Sequence, residues 1–201
     1  MATREDWGVT RSRPKRIIAV GGGKGGVGKS TICLNLSVAM ARQGSDVVLV
    51  DADLGMANLH TLCGLDNPGA TLHGFFSHQV ESLQDALVDV GVRNLRLLPG
   101  SGAHPEDPNI NHGQKQRLLR HLRKIECDTL VIDVGAGNAY NVVDLFGLAD
   151  VHLVVMTPQL VSLQNAYAFL KSFLLRRVRQ LATDAAQRAA FGVAMDGRET
   201  G

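Results

Sequence analysis

Eleven consecutive residues, Gly21-Gly22-Gly23-Lys24-Gly25-Gly26-Val27-Gly28-Lys29-Ser30-Thr31, have the types and spacing to hold a phosphate chain. Gly23 to Ser30 satisfies the pattern G-x-x-x-x-G-K-[ST]. Glycines there let successive amide N–H groups turn inward around phosphate oxygens. Lys29 would bring a compact positive charge to the β- and γ-phosphates, and the Ser30 hydroxyl is a candidate Mg²⁺ ligand. A helix beginning at Lys29 would also aim its N-terminal dipole at the anion. Gly23 through Thr31, Lys24 and Val27 included, are therefore the candidate nucleotide-binding residues.

Three carboxylates follow apolar runs elsewhere. Asp51 and Asp53 come directly after Val47-Val48-Leu49-Val50, and Asp133 ends Leu130-Val131-Ile132. Ligands of open parallel sheets sit beyond the carboxyl ends of the strands, so these acids are expected beside the glycine loop. A carboxylate there orients water for in-line attack on a phosphoryl group or holds Mg²⁺ through water. Asp133 is a candidate metal residue beside Ser30, and for Asp51 and Asp53 both roles, holding the metal or orienting water, stay open. Each of Asp51 and Asp53 also has the simpler reading of capping the turn that follows.

The elements that must position these groups are readable from the apolar pattern. Ile17–Val20, Val47–Val50, Leu95–Leu98, Leu130–Ile132 and Val151–Met156 are short, mainly apolar runs without regular polar alternation. Such runs suit a parallel sheet covered on both faces. The intervening segments are long enough for crossover helices, one over about 29–42 and another over about 114–125. In the second, Leu118, Leu119, Leu122 and Ile125 recur at helical spacing, with Lys115, Arg117, Arg120, Arg123 and Lys124 opposite. That basic stripe reads as a solvated face. The expected fold is α/β, an open and mainly parallel sheet with helices on both faces.

Composition narrows the class further. With 201 residues, 45% hydrophobic and 20% charged, the chain is ordinary for one globular domain. Residues 1–15 read as a flexible basic leader and 16–201 as the folded domain. Twenty-one Lys and Arg against nineteen Asp and Glu leave a net charge of +2, too balanced to advertise nucleic acid by bulk charge. Cys33, Cys63 and Cys127 are odd in number and lack CxxC spacing, against a disulfide framework or a zinc ribbon. The stretch from Val151 to Leu170 lacks Asp, Glu, Lys and Arg, but its His152, Pro158, Gln159, Gln164 and Asn165 suit a strand, a turn and a helix start. A cytoplasmic location is expected.

Lys24, five residues before Lys29, is not needed to cradle phosphate within one chain. Here the sequence resembles the deviant Walker A group of P-loop ATPases, the MinD/ParA family, with signature K-G-G-x-G-K-[ST]. The resemblance implies an ATP- and Mg²⁺-binding ATPase, slow and stimulated by an activating protein partner. It also implies an ATP-sandwich homodimer in which Lys24 reaches the partner's nucleotide, so that Lys24, Lys29 and Asp53 are the implied catalytic residues. Asp51-Ala52-Asp53-Leu54-Gly55-Met56-Ala57-Asn58 resembles the D-x-D-x-G-x-x-N switch of the MinD and flagellar-number-regulator (FlhG/FleN) branch, in which the second Asp positions the attacking water. Asp133-Val134-Gly135-Ala136-Gly137 is similar to the family's D-x-G-A-G, giving Asp133 the Walker B role and 135–137 that of a γ-phosphate sensor. Thr157 to Tyr167 resembles T-P-E-P-T-S-x-x-x-A-Y, with Gln159 for the usual acid and Leu160 for the usual proline. His60 stands where relatives often carry Asp and is read as structural.

The resemblance covers about residues 16 to 175, and family members continue well past that point. It thus implies a domain lacking the family's C-terminal third, with one sheet edge left unpaired. The implied role is a spatial regulator of cell division or of flagellar placement and number. Reversible binding to the inner face of the cell membrane would use a segment beyond Gly201. Residues 169–181, which mix apolar and basic side chains, read as packing on the sheet rather than lying in a membrane interface. The alternatives are a partition ATPase contacting DNA through Lys171, Arg176, Arg177 and Arg179, or a nucleotide-binding scaffold without hydrolysis. An iron–sulfur scaffold on this fold needs cysteines that meet at a dimer axis, whereas Cys33 and Cys127 read as small buried residues. A tyrosine kinase on it needs a tyrosine-rich tail, and only Tyr140 and Tyr167 are present.

Overall fold

The computed structural model describes residues 14–53, 55–77, 79–100, 110–137 and 139–182. Most of the basic leader and the stretch beyond residue 182 lie outside the described residues, as does Leu54. Six strands form one sheet in the order β3-β4-β2-β5-β1-β6. In chain order they are β1 (Arg16–Gly22), β2 (Val47–Ala52), β3 (Val88–Asp89), β4 (Leu95–Leu98), β5 (Thr129–Ala136) and β6 (Val151–Val154). Every pairing is parallel except β3 with β4. The helices are α1 (Lys29–Arg42), α2 (Leu59–Leu62), α3 (Leu72–Phe76), α4 (His112–Leu122), α5 (Tyr140–Phe146) and α6 (Leu160–Leu181).

The runs at 17–20, 47–50, 95–98 and 130–132 fold as expected and are almost wholly buried, whereas the run from Val151 is a strand only to Val154 and has no buried residue. Val47 to Ala52 has no exposed residue, and Thr129 to Gly135 is likewise buried. Two apolar layers result. One, under α3, α4, α5 and α6, includes Val48, Leu130, Phe146 and Phe169. The other, under α1, includes Cys33, Leu49, Leu97 and Val131. Burying a side chain of Leu or Phe size contributes roughly 1.5–3 kcal/mol, so these layers hold the strand ends in fixed register.

The basic stripe of α4 is not uniformly solvated. Lys115 is buried and bonds the buried Asp144 of α5. The Arg117 guanidinium lies 4.1 Å from the Phe75 ring centroid and donates to the Phe75 carbonyl. Arg120, Arg123 and Lys124 stay exposed. Local period assigns a face, but a partner 29 residues away decided what that face meets.

On α6, Ser162, Ala166 and Phe169 are buried, which puts one face on the sheet as expected. A second apolar face points outward, with Leu160, Leu163, Tyr167, Leu170 and Leu174 between 38% and 72% exposed. Strand β6 is the sheet edge beside it, and Val151 there is exposed. No described helix is long and apolar enough to cross a membrane.

Candidate phosphate-binding site

The loop between β1 and α1 is shaped by two kinds of close constraint. Gly28, the residue before α1, has φ 96° and no side chain caps the helix, so its first N–H groups face the loop. Gly23 is fixed by packing: a Cβ there would stand 1.9 Å from the Asn165 carbonyl oxygen of α6. Strand β1 also shifts register between Val20 and Gly22, which turns the chain out of the sheet at this point. The loop is thereby pinned from behind by α6 while its inner surface stays open, since a Cβ at Gly25, Gly26 or Gly28 would touch nothing.

Lys29, at the first turn of α1, is buried, and its Nζ lies 3.4 Å from the Lys24 carbonyl oxygen. Lys24 itself is exposed. Ser30 is half-buried and Thr31 exposed. Thr157, after β6, donates its N–H to the buried Ser162 hydroxyl, a bond that ties the strand end to the start of α6.

Sheet order then brings the carboxylates in. Strand β5 lies between β1 and β2, so Asp133 pairs with Val20 on one side and Asp51 on the other. Asp133 is almost wholly buried, and neither carboxylate oxygen has a hydrogen-bond partner of good geometry among the described residues. Burial pushes its pKa above the usual carboxylate range, against the nearby Ser30 hydroxyl and the Lys29 charge, which pull it down. The Cys33 thiol, buried beside it, is pushed far up by burial and by that carboxylate. An orphaned buried carboxylate next to a serine hydroxyl and an ammonium fits a hard cation with oxygen ligands.

Asp51 is fully buried and differently engaged. Its Oδ2 accepts from the Leu59 N–H at 2.9 Å, at the start of α2, and its Oδ1 lies 3.4 Å from the Asp53 N–H. Burial pushes its pKa up to about 7, with the Leu59 bond opposing and the Asp133 charge adding. Asp53 is half-buried, and its Oδ1 accepts from the Met56 N–H at 3.2 Å. The Asp53 carboxylate lies against Gly135, where a Cβ would stand 3.2 Å from Oδ1. Gly137, at the end of that segment, donates its N–H to the Gly22 carbonyl at 3.3 Å. The 135–137 segment thus touches both Asp53 and the phosphate loop.

The remaining sequence candidates sort by their contacts. Cys33 and Cys127 are buried and Cys63 half-buried; all three are free thiols. His60 lies on α2 with a buried Nδ1 that has no partner among the described residues. Of the four α6 cations, Arg176 is occupied: it donates from Nε and Nη2 to the two Asp144 oxygens. Sequence reasoning missed Asp144, Asn165 and the Cys33–Asp133 proximity, because each depends on residues far away in the chain.

The ParA model, described as NUBPL iron-transfer P-loop NTPase, matches residues 13–179. The antiactivator FleN of Pseudomonas aeruginosa is 36% identical over 160 residues, covering 79% of this chain and 56% of that protein. The septum site-determining protein MinD of Synechocystis is 38% identical over 152 residues, covering 75% of this chain and 56% of that one. The chain thus spans a little over half the length of these relatives. Among solved structures, MinD of Pyrococcus horikoshii complexed with Mg-ADP superposes with a TM-score of 0.65 at 28% identity, covering 81% of this chain and 65% of that one. With the family model matching most of its length, the chain belongs to the ParA family of P-loop NTPases.

Proposed function

We propose that this chain binds Mg·ATP, dimerises around it and hydrolyses it, acting as a spatial regulator of the kind that its likeness to FleN and MinD suggests. The observation that carries the reading is the orphaned Asp133 carboxylate, buried beside Ser30 and Lys29 at the mouth of the phosphate loop. Ser30 and Asp133 would hold the Mg²⁺, with Asp51 supporting Asp133 from the neighbouring strand; the metal supplies charge neutralisation at the phosphates. The loop amides from Gly23 to Thr31 and the Lys29 ammonium would bind the triphosphate. Asp53, pressed against Gly135, would orient the attacking water.

Lys24 is exposed, so it is free to reach a nucleotide held by a second copy. Binding ATP between two copies would favour the dimer, and loss of the γ-phosphate would remove the contacts that favour it. Slow turnover would be raised by an activating protein. A nucleoid-binding role is the weaker reading, because Arg176 is taken up by Asp144.

Nucleotide binding and phosphate release, measured with and without Mg²⁺, test this. Lys29→Ala is expected to lose ATP binding by at least about tenfold, since a charge-assisted contact of about 1.5–3 kcal/mol is removed. Asp53→Ala is expected to keep ATP binding and lose turnover by about a hundredfold. ATP binding that ignores both Mg²⁺ and Lys29→Ala would sink the proposal.

A further inference from the structure

We infer that the groove between α4 and α6, at the end of the sheet away from the phosphate loop, is a docking site for an acidic segment of a partner protein that also carries apolar side chains. Two adjoining cavities, of about 200 and about 480 Å³, make the groove and share Arg120, Arg123 and Leu148. The second opens at Pro14, Lys15 and Ile17, the start of β1, whereas the phosphate loop leaves the other end of that strand. The groove therefore lies apart from the nucleotide chemistry, and the inference stands whether or not that chemistry is as proposed.

Its charge is one-sided. Arg120 and Arg123 line it from α4, Lys124 from just beyond, and Arg177 from α6. No carboxylate pairs with any of these four among the described residues. The two acids in the lining are already engaged: Asp144 holds Lys115 and Arg176, and Asp150 accepts the Ile17 N–H at 2.9 Å. Arg120, Arg123 and Arg177 line one cavity from two sides, and Arg120, Arg123 and Lys124 line the one that adjoins it. Their mutual field is felt locally: the His121 pKa is lowered by burial and then by Arg117, Lys124 and Arg120. Convergent unpaired guanidinium groups are the arrangement that binds carboxylate or phosphate oxygens in pairs.

The floor selects among anions. Leu119, Leu148, Val143 and Phe173 line the inner cavity beneath the cations. A volume of about 200 Å³ is below the ~300–1,000 Å³ of sites for whole small molecules and suits one or two side chains. A phosphodiester backbone has nothing apolar to place on that floor, and a flat lipid surface would not enter it. A peptide alternating Asp or Glu with Leu or Phe satisfies both layers at once.

The test is fluorescence anisotropy on the 201-residue chain at about 0.15 M salt, where the Debye length is about 8 Å. The probes are a labelled twelve-residue peptide alternating Glu with Leu and Phe, an all-Glu peptide of equal length, and a random-sequence DNA duplex; phosphatidylglycerol vesicles are read by sedimentation. The alternating peptide is expected to bind, and more tightly than the all-Glu peptide. Arg123→Glu with Arg177→Glu should weaken it by about tenfold or more, the effect of opposing like charges at an interface. Lys171→Glu, exposed on α6 and outside the groove, should leave it unchanged. Arg123→Gln with Arg177→Gln, checked for an unaltered melting temperature, gives an intermediate loss and guards against misfolding by the charge reversals. The inference is overturned by absent peptide binding, by binding indifferent to either pair of substitutions, or by duplex or vesicles binding more tightly than the alternating peptide through the same arginines.

Discussion

At the scale of single residues, the two buried acids on neighbouring strands differ in what they have to bond. Asp51 accepts the Leu59 N–H, while both oxygens of Asp133 lack good partners among the described residues. For Asp51 the folded pKa, about 7, lies above its unfolded value near 3.8. Its contribution to stability is therefore fully present below about pH 4 and is lost as the pH rises through about 7. The melting temperature of the ligand-free chain should fall between about pH 4 and about pH 7 and level off above that. Asp51→Asn, which keeps an acceptor for Leu59, should flatten that fall, and an unchanged slope would refute the assignment. Gly135→Ala tests the other contact of the site. Its Cβ would crowd the Asp53 carboxylate at 3.2 Å, which can give way only by rotating. Turnover should drop by about tenfold to a hundredfold with ATP affinity kept, because misplacement of a positioning group acts on the rate. Equal loss of binding and rate would show that Asp53 does not orient the water.

At the scale of elements, α5 is clamped between α4 and α6 by one carboxylate. Asp144 takes bonds from Lys115, Arg176 and Gln180. Burial raises its pKa, but the two cations outweigh this and hold it below the usual range. Asp144→Ala would leave the Lys115 ammonium buried and unpaired, at a cost of about 3–5 kcal/mol. Lys115→Met, which leaves Arg176 and Gln180 on Asp144, should cost clearly less in urea unfolding; equal losses would contradict the clamp. Most of this scale was legible in the sequence. The runs at 17–20, 47–50, 95–98 and 130–132 and the helix from Lys29 to Arg42 follow directly from apolar period and glycine placement. Strand β3 was not legible, because Val88–Asp89 is two residues long and exists only by pairing with β4. The charge on α4 misled for a different reason: Lys115 precedes Leu118 and Leu122 by helical spacing and so shares their buried face, but only the fold shows that it meets Asp144. At the site, the motif gave the residue types, whereas the orphaned state of Asp133 depends on burial that no local pattern records.

At the scale of the whole molecule, the phosphate loop leaves one end of β1 and the basic groove opens at the other. Between them, α6 runs from the back of the loop, where Asn165 presses on Gly23, to the groove, where Arg177 lines the cavity. The outer face of α6 carries the exposed Leu160, Leu163, Tyr167, Leu170 and Leu174, and β6 ends the sheet among the described residues, so association independent of nucleotide would arise there. The central claim is that ATP itself, through Lys24, brings two copies together. Solution mass by light scattering, compared between ATP and ADP at one protein concentration, tests it most directly on the chain, Asp53→Ala and Lys24→Ala. A doubled mass is expected with ATP only, prolonged by Asp53→Ala and abolished by Lys24→Ala. ATP that binds without changing the mass, or a dimer that survives Lys24→Ala unchanged, would contradict it.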